Sequence, residues 1–469
     1  MKAVIISSIV SWLTGFLLLS ILDLRKYSKG IIAALVVDYA AGGGIVTLLM
    51  FATAVITGSF NDSLIYVFVL CLAIIYLTRT GGRTIIKEHK PPYDIAQYLS
   101  IIPALALVIF ILALSYKVVP LGWDTRFIYL FRAKMLFVED QLRTASLTAP
   151  QYSFSHPDYP LHIPLSIAYI YTLLGHVDPG TGKLVLMLYP LTIFLFMYGF
   201  LKSTMPAYAA VLSALTFLTL RRVMGLAYSG IDVPLALYIL IGTSFYYLYI
   251  RDDDVHYAIL SGLLIGIGAW TKDEGTAYFM GTAICILLFT RYHLKKTVLM
   301  SLRRTIWFLI PGMIFILPWQ LFIHLHHFPA NWIMNGLSGT SRTTALFRLF
   351  KITEYFGREI ILNEPFLIIV AISLISLIYK KETGLLLSVY MVFFFQFFAY
   401  VIALYIQPNP LSAELGVTVQ RLTLQITPSI LLVSLALLLG PAGGSGRVPA
   451  PYAQTPPSPP ADKGMEETA

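Results

Sequence analysis

Residues 101–126 read IIPALALVIFILALSYKVVPLGWDTR, and their pattern indicates the fold class of the chain. Its first part belongs to an apolar run at 95–116, which is long enough for a membrane-spanning helix of about 20 residues. Asp124 stands a few residues beyond that run, and an amphipathic segment, Phe127 to Phe137, follows it. We therefore expect a carboxylate and an interfacial helix to lie together at one surface of a membrane.

Composition extends this interpretation to the whole chain. Of its 469 residues 57% are hydrophobic and 12% are charged, and the mean hydropathy is +0.76. Soluble domains carry about 25% charged residues, so we predict an all-α polytopic membrane protein. The net charge of +9 is spread over the loops, which indicates membrane topology rather than nucleic-acid binding. Cys71 and Cys285 both lie in apolar runs and are expected to be packed thiols rather than a disulfide.

The hydropathy pattern predicts a single bundle of about 13 transmembrane helices. The predicted spans are 3–22, 31–57, 62–78, 95–116, 184–201, 207–224, 231–250, 257–271, 274–290, 305–325, 361–379, 385–406 and 421–440. Lys and Arg cluster in the segments 25–29, 79–90, 291–304 and 380–381, which places those segments on the cytoplasmic side.

The opposite, outer face then receives the long loops 117–183, 326–360 and 407–420. Long structured loops on one face usually indicate that the function lies there. The apolar run Leu161 to Gly175 spans only about 22 Å as a helix, which is short of the hydrocarbon core. We therefore predict that it is an interfacial or half-inserted helix on the outer face.

Three acids are predicted to lie on this outer face: Asp124, Asp158 and Asp232. Each has a simpler interpretation, because Asp124 and Asp232 precede helices that they could cap, and Asp158 could bond nearby backbone amides in a turn. Prolines around Asp158 would nevertheless hold it, His156 and Tyr159 rigidly at the interface. The three acids together would form an acidic rim around one cavity.

Cations are predicted on the same face. Lys272 and Glu274 lie in Trp270-Thr-Lys-Asp-Glu-Gly275, where an apolar stretch is interrupted. An ionisable residue at such a break is a functional candidate, although a lysine near a helix end can also extend towards head groups. The candidate phosphate ligands also include the arginines on this face: Arg126, Arg222 and Arg421. The guanidinium group presents several donors in a geometry suited to phosphate, so fixed acids beside these cations suit a phosphate leaving group next to a hydroxyl acceptor.

Other chemistry is not indicated by the sequence. The chain has no GxGxxG before a helix, no P-loop, no HExxH and no CxxC pair, so we expect no nucleotide-binding domain and no metal ligands. The histidines in His324-Leu-His-His327 lack a specific metal-ligand spacing and are interpreted as an interfacial cluster. Any donor substrate must then reach the site through the membrane.

An ordered set of weak motifs between residues 95 and 440 resembles the GT-C glycosyltransferases. The likeness is strongest to the branch of protein O-mannosyltransferases and lipid A aminoarabinose transferases, which depend on polyprenyl-phosphate sugars. The matches, in chain order, are Asp124-Thr125 with Tyr129 and Ala133, the Pro-rich start of the short helix from Pro157 to Gly175, Asp232-Val-Pro234, Gly262 to Gly275 around Lys272, and Arg421 with Pro428. The family has Glu where this chain has Thr125, so its acidic pair is incomplete here.

The resemblance implies a GT-C-like catalytic membrane domain at 95–440, with additional helices at 1–94. The low-complexity composition of the Pro/Gly-rich segment 441–469 predicts a disordered cytoplasmic tail. The resemblance also implies inverting transfer of a sugar from a polyprenyl-phosphate donor to a hydroxyl of a glycan, lipid or protein on the extracytoplasmic face. The compact size of the chain and its lack of a luminal-type Cys framework favour a prokaryotic plasma membrane. Asp124 would be the general base, Asp158 a second catalytic candidate, and Asp232 a residue that positions sugar hydroxyls or an optional divalent cation, Mg²⁺ or Mn²⁺. The alternatives left open by the sequence are a lipid-linked sugar flippase and a diphosphate-lipid-dependent oligosaccharide transferase.

Overall fold

A computed structural model describes residues 1–60, 62–80, 101–143, 149–219, 230–328, 342–362, 383–406 and 411–439, with isolated helical residues between 367 and 379. The described part of the chain is helical and contains no strand. Arg222 and the tail 441–469 lie outside the described residues, as does much of the predicted span 361–379.

The α-helices run in chain order as α1 (Lys2–Ile21), α2 (Ile31–Thr57), α3 (Asp62–Thr80), α4 (Ile101–Val118), α5 (Phe131–Glu139), α6 (His162–Leu174), α7 (Pro179–Leu201), α8 (Ala207–Thr219), α9 (Asp232–Asp252), α10 (Val255–Thr271), α11 (Asp273–Tyr292), α12 (Val298–Leu325), α13 (Arg342–Leu362), α14 (Thr383–Ile406) and α15 (Leu411–Leu439). A π-helical turn, Thr125–Leu130, leads directly into α5, and two 3₁₀ turns occupy Arg25–Tyr27 and Pro150–Ser155.

Nine of the described helices are long and apolar enough to cross a membrane, namely α1, α2, α3, α4, α7, α9, α12, α14 and α15. The prediction of an all-α polytopic membrane protein is therefore confirmed, but the described residues support nine spans rather than thirteen. Helix α10 has 17 residues, which is less than the roughly 20 needed to cross the hydrocarbon core, and α8 is described over 13 residues, up to Thr219. Helix α11 is longer, but Asp273, Glu274 and Arg291 lower its hydropathy.

Helix α9 is the central element of the bundle. Its residues are buried from Asp232 to Ile250, and it packs against α7, α10, α14 and α15. Its 21 residues extend over about 30 Å, so Asp232 and Asp252 mark opposite ends of the bundle. A position on α9 therefore indicates depth in the molecule.

The basic loops gather at the Asp252 end of α9. Lys29 lies 3.9 Å from Asp252, Lys296 lies 3.0 Å from Asp253, and Arg304 also pairs with Asp253. The segments that follow α1 and α11 thus meet at one end of the bundle, as their charge predicted. Asp232 lies at the other end.

Small residues bring pairs of helices into close contact. A Cβ atom added at Gly42 of α2 would lie 1.7 Å from the Ser11 carbonyl oxygen of α1, and one added at Gly266 of α10 would lie 2.3 Å from Gly312 of α12. No side chain fits at these two crossings. Such small-residue contacts are typical of helix packing in membranes, where dispersion replaces the hydrophobic effect as the driving force.

The short helix α6 is enclosed by protein. Nine of its 13 residues are buried, and it packs against α1, α2, α5 and α10. The ring of His162 lies 2.8 Å from the Thr47 hydroxyl and 2.8 Å from the Tyr238 hydroxyl, and Trp270 Nε1 also donates to Thr47. This buried network connects α6 and α2 to the C-terminal end of α10, just before Lys272.

Candidate functional site

Five of the residues singled out from the sequence form one continuous chain of ion pairs, here called the central cluster. Arg421 bridges two acids, with Nη2 2.7 Å from Asp124 Oδ2 and Nε 2.8 Å from Asp232 Oδ2. Lys272 does the same on the other side, with Nζ 2.8 Å from Asp232 Oδ1 and 2.8 Å from Glu274 Oε1. The order is Asp124, Arg421, Asp232, Lys272, Glu274.

Each member reaches the cluster from a helix end or a helix face. Asp124 precedes the π-helical turn before α5, and Asp232 is the first residue of α9. Lys272 and Glu274 lie at the break between α10 and α11, while Arg421 projects from α15. The interruption of the apolar stretch at residue 272 therefore brings a lysine to the same end of the bundle as Asp232.

The cluster has a buried base and an accessible rim. The Asp232 side chain is 0% exposed and that of Lys272 is 8% exposed, whereas Asp124, Glu274 and Arg421 keep between 19% and 26% of their side-chain surface. Burial alone would lower the pKa of Lys272, but the carboxylates of Asp232 and Glu274 raise it above its usual value, so the ammonium group stays charged. A ligand can therefore touch Asp124 and Arg421, while Asp232 supports them from below.

The two acids do not act as helix caps. Neither the turn after Asp124 nor the start of α9 shows a side-chain capping hydrogen bond. Capping does occur elsewhere in the chain, where Asp178 accepts from the Gly180 amide and Asp254 from the His256 amide. Asp124 and Asp232 instead direct their carboxylates at cations from distant parts of the sequence.

Polar residues missed by the sequence analysis lie behind the cluster. Gln425 Nε2 donates to Asp232 Oδ1 at 2.6 Å, and the Tyr400 hydroxyl donates to Gln425 Oε1 at 2.7 Å. Gln396 Nε2 donates to the Glu274 carbonyl at 3.1 Å. The available signal was helical spacing, because Gln425 follows Arg421 by four residues and Tyr400 follows Gln396 by four residues.

The loop that carries His156, Asp158 and Tyr159 is fixed beside the cluster. The fully buried Arg132 donates from Nη2 to the Tyr159 carbonyl at 2.7 Å, and Trp319 Nε1 donates to the Asp158 carbonyl at 3.0 Å. The rings of His156 and Tyr159 stack with centroids 4.5 Å apart.

Burial perturbs the ionisation of this loop and its support. It raises the pKa of Asp158, lowers that of His156 and lowers that of Arg132 to about 10. The charge of Asp124 also acts on His156 and raises its pKa against the larger effect of burial. The loop and the central cluster are therefore electrostatic neighbours.

The other candidates take no part in the central cluster. Arg126 is exposed and forms none of the cluster's ion pairs, and Arg222 lies outside the described residues. Within the ranges that the structure describes, no group of three or more His, Cys, Asp or Glu side chains is arranged to hold a metal ion. Positive charge at the central cluster is supplied by Lys272 and Arg421.

Comparison of the chain with protein-family models, with curated proteins and with solved structures gave no match.

Proposed function

We propose that this protein is a membrane glycosyltransferase that moves a sugar from a polyprenyl-phosphate-linked donor to a hydroxyl acceptor on the extracytoplasmic face. The observation that supports it most is the ion pair between Asp124 and Arg421, backed by the buried Asp232 and Lys272. It brings an accessible carboxylate next to cations at a helix-end surface of a membrane protein. A base for a hydroxyl and a binding site for phosphate are the two groups that such a transfer needs.

In the proposed reaction Asp124 is the general base. It accepts the proton of the acceptor hydroxyl as that oxygen bonds to the anomeric carbon, on the face opposite the phosphate. The bond between the anomeric carbon and the phosphate oxygen breaks, and the lipid phosphate leaves with the electron pair, so configuration is inverted. General-base catalysis contributes about 10²–10⁴-fold.

Arg421 and Lys272 would stabilise the negative charge that develops on the leaving phosphate. Both cations are held in position before substrate binds, because Asp232 accepts hydrogen bonds from each of them. Preorganised charges of this kind need no rearrangement during the reaction and are especially effective away from bulk water. Asp158, His156 and Tyr159, on the neighbouring loop, would orient sugar hydroxyls.

The ion pair of Asp124 with Arg421 also gives the proposed reaction an order. While the two are paired, the carboxylate is partly neutralised and is a poor proton acceptor. A donor phosphate that binds Arg421 competes with Asp124 for the guanidinium and releases the carboxylate for the acceptor. Donor should therefore bind before acceptor.

The positions of the basic loops support the proposed side of the membrane. Lys29, Lys296 and Arg304 lie at the Asp252 end of α9, and loops rich in Lys and Arg are normally cytoplasmic. The central cluster at the Asp232 end would then face the extracytoplasmic side, which in a prokaryote is the outer surface of the plasma membrane.

The test uses purified wild-type protein in lipid nanodiscs with a panel of radiolabelled polyprenyl-phosphate sugars and polyprenyl-diphosphate sugars. Release of polyprenyl phosphate from a monophosphate donor is the expected result. Release from diphosphate donors alone would favour the oligosaccharide transferase. Movement of labelled lipid between leaflets without cleavage, measured in proteoliposomes, would contradict the proposal and favour a flippase.

A further inference from the structure

A second layer of hydrogen bonds supports the central cluster from the side away from Asp124. Gln425 is 0% exposed and Tyr400 is 1% exposed, so both are shielded from solvent and substrate. They form a short relay in which Tyr400 donates to Gln425 and Gln425 donates to Asp232. The relay joins α14, α15 and α9 at one point.

We propose that Gln425 and Tyr400 are positioning residues that fix the Asp232 carboxylate and thereby the positions of Lys272 and Arg421, the two cations of the proposed phosphate site. The inference rests on the proposed function, since it assigns these cations to a phosphate. Neither residue is accessible to substrate, so both act through Asp232.

The argument begins with the acceptor sites of Asp232. Its Oδ1 accepts from Lys272 at 2.8 Å and from Gln425 at 2.6 Å, and its Oδ2 accepts from Arg421 at 2.8 Å. Gln425 is the uncharged member of the three donors. It fixes the plane of the carboxylate without adding a further cation that would compete with Lys272 and Arg421 for Asp232.

Asp232 defines which way the Gln425 amide points, because a reversed amide would place two acceptor oxygens together. The Tyr400 hydroxyl donates to the Oε1 atom on the other side and so holds the amide in that position. Helix α14, which carries Tyr400, also supports the other end of the cluster, because its Gln396 donates to the Glu274 carbonyl. Helix α14 is thus connected to both acids that contact Lys272.

The surroundings leave little room for adjustment. A Cβ atom added at Gly230 would lie 3.0 Å from Arg421 Nη2 and 3.2 Å from Asp232 Oδ2. The backbone before α9 therefore packs directly on this ion pair. A rotation of the Asp232 carboxylate would therefore also displace Lys272 and Arg421.

The test is the binding of farnesyl phosphate, a dispersible prenyl phosphate, to the full chain in nanodiscs between pH 5 and pH 8, with uncharged farnesol as reference. In Gln425→Glu the new carboxyl group faces Asp232, Lys272, Arg421 and Tyr400. Protonated, it donates to Asp232 as the amide does. Ionised, it repels Asp232 and attracts the cations, so we expect affinity near that of the wild type at pH 5 and about tenfold weaker binding at pH 8.

Two further variants separate positioning from general destabilisation. Gln425→Met, of similar shape, should bind about tenfold more weakly at every pH. Tyr400→Phe should weaken binding severalfold, whereas Tyr249→Phe removes a comparable buried hydrogen bond, to Thr290, at the opposite end of α9 and should leave binding unchanged.

The outcomes distinguish the two proposals. If wild-type protein binds farnesyl phosphate no better than farnesol, the proposed function fails and this inference fails with it. If the wild type prefers the phosphate but Gln425→Glu follows the wild-type pH profile, or Tyr249→Phe weakens binding as much as Tyr400→Phe, only the positioning role is overturned.

Discussion

Asp124 and Asp232 show how two residues of the same type take different roles within one ion-pair chain. Asp124 retains about a quarter of its side-chain surface, whereas Asp232 has none and accepts from three donors. The sequence could predict that both acids lie at one face, because each follows or begins an apolar segment. It could not predict which is buried, since that depends on Arg421 and Gln425, almost 200 residues further along the chain than Asp232.

The difference in burial predicts a difference in stability. Asp232→Asn leaves the buried Lys272 and the partly exposed Arg421 without their shared counter-charge, and breaking a pair with a buried carboxylate in this way costs about 3–5 kcal/mol. Asp124→Asn breaks a partly exposed pair and should cost about 1 kcal/mol or less. Thermal unfolding in detergent should show a large decrease in Tm for the first variant and a small one for the second. Equal decreases would contradict the distinction between base and rim.

At the scale of elements, periodicity and apolar length located most helices but not how they pack. The run at 161–175 was recognised as too short to span, and α6 is indeed short, but its buried surface reflects contacts with α2 and α5 that hydropathy does not register. Likewise, the sequence did not predict which glycine of α2 lies at a helix crossing. A close contact depends on two helices, and the sequence of one helix does not show which other helix packs against it.

Neighbouring glycines of α2 provide a matched test of helix packing. A Cβ at Gly42 would lie 1.7 Å from the Ser11 carbonyl of α1, whereas a Cβ at Gly43 meets its nearest atoms, of His162 and Tyr238, at 3.9 Å. Overpacking typically costs about 1–3 kcal/mol, so Gly42→Ala should lower Tm and the yield of folded protein while Gly43→Ala does not. Size-exclusion profiles and thermal unfolding in detergent measure both. Equal behaviour of the two variants would show that α1 and α2 are not in close contact there.

For the whole molecule, composition alone predicted a polytopic helical membrane protein, because no soluble core accommodates so much apolar sequence. Nine of the described helices qualify as spans and the predicted thirteen are not confirmed, since α10 is too short and α11 too polar to qualify. The gathering of basic loops at the Asp252 end, away from the central cluster, was predicted correctly for the segments after α1 and α11. Their charge is a local feature of the sequence, whereas the pairing of helices is not.

Thiol labelling tests the proposed orientation of the molecule. In a Cys71→Ser, Cys285→Ser background, single cysteines introduced by Arg126→Cys and Lys295→Cys would occupy exposed positions near opposite ends of the bundle. A membrane-impermeant maleimide applied to intact cells should label the Arg126→Cys protein and should reach the Lys295→Cys protein only after permeabilisation. The reverse pattern would place the central cluster on the cytoplasmic side.

The most direct measurement for the central proposal compares wild type with Asp124→Asn in nanodiscs, using the polyprenyl-phosphate sugar donor that the wild-type protein cleaves, with Arg126→Gln as an exposed control from the same segment. We expect Asp124→Asn to remain folded and to bind farnesyl phosphate at least as well as wild type, because Arg421 is no longer paired with a rim acid. We also expect it to release polyprenyl phosphate about 10²–10⁴-fold more slowly, as the loss of a general base requires. Near-normal release by folded Asp124→Asn would contradict the account.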